Sequence, residues 1–180
     1  MPRNASINLR DKKAVECIPL EKWIIFHTDR DSDTARNFVN NLRKAAGWFG
    51  MQVRNPRTFA VKRPKAEDFT ELMMQKIPPE AQMVVCIIPR IMTSSYGKLK
   101  EVLTKDRPIP SQFVFTHNCN KPLSVYNKIA LQINAKMGGT LWFAQLPQEM
   151  PNNSIVIGMD VFHDTRKGSR SVLGICSTID

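Results

Sequence analysis

Residues 82–89, QMVVCIIP, constrain this chain more than any other stretch. From Met83 to Ile88 every side chain is apolar, so no face can be turned to water, and Pro89 limits the run to strand length. A strand apolar on both sides is stable only when both sides are covered. The centre of a parallel sheet with helices on each face meets that demand.

The flanking patterns supply the rest of such a sheet. EKWIIFHT (21–28) reads as a second buried strand, SQFVFT (111–116) as a third, and MQVRNPRTFAV (51–61) as an extended segment interrupted by Pro56. Between them, helical spacing joins Ala35, Phe38, Val39, Leu42 and Ala46, with Asp31 or Ser32 as the cap and Gly50 at the stop. A second helix spans 66–77, with Phe69, Leu72, Met73 and Ile77 on one face. The loop RIMTSS leads into a third helix from Ser95 to Lys105. Pro122 opens a fourth, striped by Tyr126, Ile129, Ala130, Ile133 and Met137, and Gly138-Gly139 ends it. This alternation predicts an α/β three-layer domain with a mainly parallel sheet.

The ends of the chain differ. Residues 1–20 are polar and aperiodic, which predicts an extended linker arm. After the break PQEMPNNS, the runs SIVIGMDVF (154–162) and SVLGICSTI (171–179) flank the turn HDTRKG, the pattern of a β-hairpin. A hairpin is marginal alone, so it reads as the opening of a second domain. A length of 180 residues suits one domain and part of another.

The net charge of +10 points to a polyanionic partner, and residues 76–140 hold nine basic side chains against three acidic ones. Taken alone, that charge fits a solvated coat equally well. No run reaches the roughly 20 apolar residues of a membrane span, and the N-terminal residues lack an apolar signal core. An intracellular, cytoplasmic or nuclear monomer is expected. Cys17, Cys86, Cys119 and Cys176 are too scattered for a zinc site, and His27 and His117 have no partners at ligand spacing. Glycine-rich phosphate loops and GxSxG elbows are missing, which argues against common hydrolase and dehydrogenase chemistry.

Ligands of open α/β sheets bind beyond the carboxyl ends of the strands, which directs attention to Arg90–Ser95 and the helix after it. Tyr96 and Lys100 share one face of that helix, and its N-terminus would favour a phosphate. Gln132 and Lys136 are likewise four apart and lie off the apolar stripe. Together they could clamp a terminal phosphate and stack its base, whereas either pair alone reads as an exposed helix face. Asp160, followed by His163 and Asp164, stands where a strand-end carboxylate could hold magnesium, although turn chemistry explains the same residues.

The stretch SSYGKLKEVLTKDRPIPSQFVFTHN, with VYNKIALQINAKMGGTLW after it, resembles the MID domain of Argonaute proteins, and IVIGMDVFHD resembles the first strand of the adjoining PIWI domain. KIALQINAKMGG with the D-V-F-H-D turn is most similar to the Piwi clade. The resemblance implies a Rossmann-like three-layer MID domain at 21–147 after the arm 1–20. It assigns 148–180 to the beginning of an RNase H-like PIWI domain, the hairpin included. It further implies that Tyr96, Lys100, Gln112, Gln132 and Lys136 bind the 5′ phosphate of a guide RNA, a piRNA, with Tyr96 stacked on the first base. Arg90, Ile91, Met92, Thr93, Ser94 and Ser95 would read that base, Thr93 most directly. Gln132 stands where many Argonautes have lysine, and in the Piwi clade a magnesium ion near it, held with the RNA phosphate, is expected to offset the lost charge.

Asp160 matches the first catalytic aspartate of the PIWI domain. The chain itself is thus expected to bind RNA without cleaving it, and its full-length parent to be a magnesium-dependent slicer in germline transposon silencing. Its other expected partners are the remaining domains of that parent. Two alternatives stand beside this: a protein-docking scaffold using Trp48 or Trp142 with incidental charge, or part of an RNA-cleaving unit.

Overall fold

The computed structural model describes residues 13–143, 151, 154–163 and 170–178. The chain divides into two units, Met1–Phe143 and Ala144–Asp180. In the first, β1 (Trp23–Thr28), β2 (Arg57–Val61), β3 (Met83–Ile88) and β4 (Ser111–Phe115) alternate with α1 (Ser32–Trp48), α2 (Ala66–Lys76), α3 (Tyr96–Glu101) and α4 (Leu123–Lys136). The strands form a parallel sheet in the order β2-β1-β3-β4. β3 is therefore interior, as its two-sided apolar run demands. Met83, Val85 and Ile87 enter one core with Phe38 and Leu42 of α1 and Tyr126 and Ile133 of α4. Val84, Cys86 and Ile88 enter the other with Phe69 and Met73 of α2 and Leu99 of α3. Successive side chains of one strand thus serve opposite layers, each buried aliphatic group contributing about 1.5–3 kcal/mol.

Burial also settles the core thiols, raising Cys86 far above its usual range and Cys119 to about 12, so neither is a nucleophile at neutral pH. His27 is buried within β1, its ring bonded to the carbonyl of Thr28, and serves packing.

Local expectations hold where periodicity carried them and shift where short polar contacts intervene. Neither Asp31 nor Ser32 caps α1. The Thr28 hydroxyl donates to Asp31 Oδ2 (2.6 Å) and the Ser32 hydroxyl to the carbonyl of Asp29 (3.0 Å), so both side chains are spent on a 3-10 turn, Asp29–Asp31. β2 begins directly after Pro56, as the missing N–H at that position requires. The segment Arg90–Ser95 is not an open loop. It winds as a 3-10 helix, held by Met92 N–H on the carbonyl of Pro89 and the Thr93 hydroxyl on the carbonyl of Arg90. Downstream, α3 keeps only six residues of α-helix before widening into a π-helix over Val102–Asp106. α4 closes where expected, Gly138 taking φ +97°.

The described part of the N-terminal arm is packed. Val15 and Glu16 N–H groups donate to the carbonyls of Leu141 and Thr140, and Leu20 is fully buried. Asn134, on α4, locks this arrangement: its amide accepts from Ile18 N–H (2.9 Å) and donates to the carbonyl of Glu16 (2.8 Å). A Cβ at Gly139 would strike that same amide, so the second glycine of the pair is a matter of space.

In the second unit, β5 (Ile157–Phe162) and β6 (Val172–Ser177) pair antiparallel, from Ile157 opposite Ser177 to Phe162 opposite Val172. Most of the HDTRKG turn, Asp164 included, and most of the break before Ser154 lie outside the described residues.

Gly139→Ala is expected to cost about 1–3 kcal/mol, because the buried Asn134 cannot move without giving up its bonds to Ile18 N–H and the Glu16 carbonyl. Urea unfolding gives the loss, and amide exchange should show it first at Ile18.

Candidate functional site

β4 is an edge strand, and its open side is where α3 and α4, from opposite layers, can both be reached. The carbonyl of Pro110 accepts from Val84 N–H at 3.0 Å, toward β3. The alternation of a parallel ladder then turns the carbonyl of Ser111 outward to the open edge. Lys136, from the last turn of α4, donates its Nζ to that carbonyl (2.8 Å) and to Gln112 Oε1 (2.8 Å). Lys100, from α3, donates to the Ser111 hydroxyl (2.6 Å). Two ammonium groups from two layers thus converge on one buried serine.

Around them lies a cavity of about 180 Å³, lined by Tyr96, Lys100, Gln112 and Lys136, with Ser111 and Phe113 of β4 completing the wall. Tyr96 is half-exposed and stands edge-on to Phe113, ring centres 4.9 Å apart. The cavity is smaller than the roughly 300–1,000 Å³ of sites that engulf a drug-sized ligand. It suits a small anion, with an attached ring resting outside against Tyr96.

Along α3 and the π-helix that continues it, Lys100 is the lysine left without a carboxylate. Lys98 pairs with Glu67 and Lys105 with Glu101, each at 2.6 Å. Among the described residues, neither Lys100 nor Lys136 meets a carboxylate. Burial, and secondarily the nearby Lys100, lower the pKa of Lys136. An ammonium has three N–H donors, of which Lys100 spends one here and Lys136 two. What the site lacks is negative charge.

Of the residues singled out in the sequence, Tyr96, Lys100, Gln112 and Lys136 are brought together. Gln132 is exposed one turn before Lys136 and does not line the cavity. Arg90–Ser95 leads straight into Tyr96 but stays outside the lining, with Met92 buried and Ile91 exposed. At the N-terminus of α3, Tyr96 N–H already bonds the carbonyl of Thr93 in the preceding 3-10 turn. Asp160 belongs to the second unit and sits inside β5 opposite Gly174, two residues short of the strand end predicted for it. His163 meets the Ser171 hydroxyl at 2.8 Å, and no group of three metal-ligating side chains occurs among the described residues. Ser111 was not among the candidates. A small polar residue at the start of a strand carries no signal of its own.

Residues 83–180 match the Piwi domain family. Piwi-like protein 1 of Gallus gallus is 33% identical over 165 residues, which are 90% of this chain and 19% of the relative. The chain spans about a fifth of the length of the curated relatives it matches. The crystal structure of Drosophila Piwi superimposes with a TM-score of 0.81 at 22% identity, covering 94% of this chain and 26% of that one. The MID domain of Arabidopsis thaliana AGO5 gives 0.61 at 24% identity, covering 73% and 99%. At these identities the two structures establish a common fold.

The ammonium of Lys136 should titrate below the ordinary lysine value of about 10.4. Lys100→Met should raise its pKa only part of the way, because burial is the larger cause and persists. NMR of the lysine side chain across an alkaline titration measures both.

Proposed function

Because the chain belongs to the Piwi family of Argonaute proteins, we propose that its first unit anchors the 5′-phosphorylated first nucleotide of a small guide RNA, a piRNA. The observation that carries this reading is the convergence of Lys100 and Lys136 on Ser111 without a carboxylate. Charge-assisted bonds from two ammonium groups suit the oxygens of a terminal phosphate. The half-exposed ring of Tyr96 is available to the first base. Arg90–Ser95, leading into Tyr96, is the segment from which that base would be read, with Thr93 closest to the discriminating position.

Magnesium held by the protein alone does not fit this lining. Its side-chain oxygens are the Ser111 hydroxyl and Gln112 Oε1, both already accepting from lysines, and the neutral Tyr96 phenol. A hard divalent cation needs more oxygen ligands than that, so RNA oxygens would have to supply them, with Gln132 at the margin. For the longer protein, we propose Asp160 as one carboxylate of an RNA-cleaving centre.

Titration of the chain with UMP and with uridine tests the anchor. UMP should bind more tightly, and equal affinities would remove the phosphate from the mechanism. Lys100→Ala and Lys136→Ala should each abolish most of the difference between the two ligands. Tyr96→Ala should weaken both by about 1–3 kcal/mol. Only the charged form of Lys136 attracts phosphate, and its pKa is lowered, so UMP affinity should fall as pH rises through that value, below where an ordinary lysine discharges.

A further inference from the structure

We propose that Ser111 is itself a phosphate ligand, and that it holds the two lysines at the spacing the anion needs. This rests on the phosphate-anchor reading and adds a residue to it. Ser111 is only 2% exposed, yet it presents two different groups in two directions. Its side chain points with those of Phe113 and Phe115 toward the layer of α3, where Lys100 reaches the hydroxyl. Its carbonyl faces the open edge, where Lys136 reaches it from α4. Among the described residues, no other one accepts hydrogen bonds from both lysines.

A hydroxyl differs from the other acceptors here in also owning a proton. While it accepts from Lys100 at 2.6 Å, Oγ–H remains free to donate to an oxygen that Lys100 shares. The carbonyl of Ser111 and the Gln112 oxygen can only accept, and would repel a phosphate oxygen. The hydroxyl thus does two things. It occupies Lys100 in the free protein, and it joins Lys100 on the anion in the bound one.

The test is calorimetric titration of the full 180-residue chain and three variants with UMP and uridine. Ser111→Ala should weaken UMP about tenfold, equivalent to about 1.4 kcal/mol, while uridine is unaffected. Ser111→Thr and Ser111→Val have the same shape and differ only in the hydroxyl. Threonine should retain phosphate-dependent binding and valine should lose it. Equal UMP affinity for the threonine and valine variants would overturn the assignment. So would a Ser111→Ala variant whose binding stoichiometry drops while its dissociation constant stays put, since the fraction that folds then binds equally well without the hydroxyl. If the unaltered chain fails to prefer UMP over uridine, the anchor reading itself falls. If it prefers UMP and Ser111→Ala binds as tightly, only the role of Ser111 falls.

Discussion

Everything at the candidate site depends on β4 having a free edge. The sheet separates α3 from α4 by a dense apolar core, so side chains from the two layers cannot meet through it. They can meet only around a strand with nothing beyond it. A fifth strand beside β4 would consume the outward carbonyl of Ser111 and close the cavity. Exposed sheet edges are usually blunted with charge to prevent strand pairing. Here two lysines cover the edge and bring positive charge to it.

The energetic logic follows from the same placement. Moving an ammonium group out of water is costly, and two close together repel, which is why the pKa of Lys136 is lowered. Hydrogen bonds to Ser111 and Gln112 offset that cost only in part, because neutral acceptors bring no opposing charge. An arriving dianion supplies what the fold withholds. The neighbouring pairs Lys98–Glu67 and Lys105–Glu101 show that carboxylates are within reach of this helix and have been kept from one lysine of three.

Long-range periodicity made most of this architecture legible before any coordinates. The two-sided apolar run of β3 dictated an interior parallel strand, and the stripes of α1 and α4 marked their buried faces. Spacing put Tyr96 with Lys100 and singled out Lys136 with Gln132, and family resemblance added Gln112. What escaped are features decided by one or two contacts. Ser111 matters because its carbonyl faces outward, a consequence of strand register that no residue type announces. Asn134 has the spacing of the buried face but a polar side chain, and its bonds to the arm are what allow it to stay there. The 3-10 winding of Arg90–Ser95 depends on Met92 finding a core position, which turns an apparent loop into part of a longer helical run. Asp160 lies inside β5 because pairing continues through Phe162, where the apolar run itself ends, so its placement at a strand end rested on residue type and not on the pattern.

The contact between the arm and the segment after α4 has a mechanical consequence. Chain enters the first unit through Val15 and Glu16 and leaves through Thr140 and Leu141, and these two stretches are hydrogen-bonded to each other. Entry and exit therefore lie side by side on the surface of this unit. Tension applied to the flanking chain would first part those few bonds, and the sheet behind them would feel it only afterwards. Lys136 lies four residues before Thr140, so the same clamp also fixes the end of α4 from which its ammonium reaches Ser111.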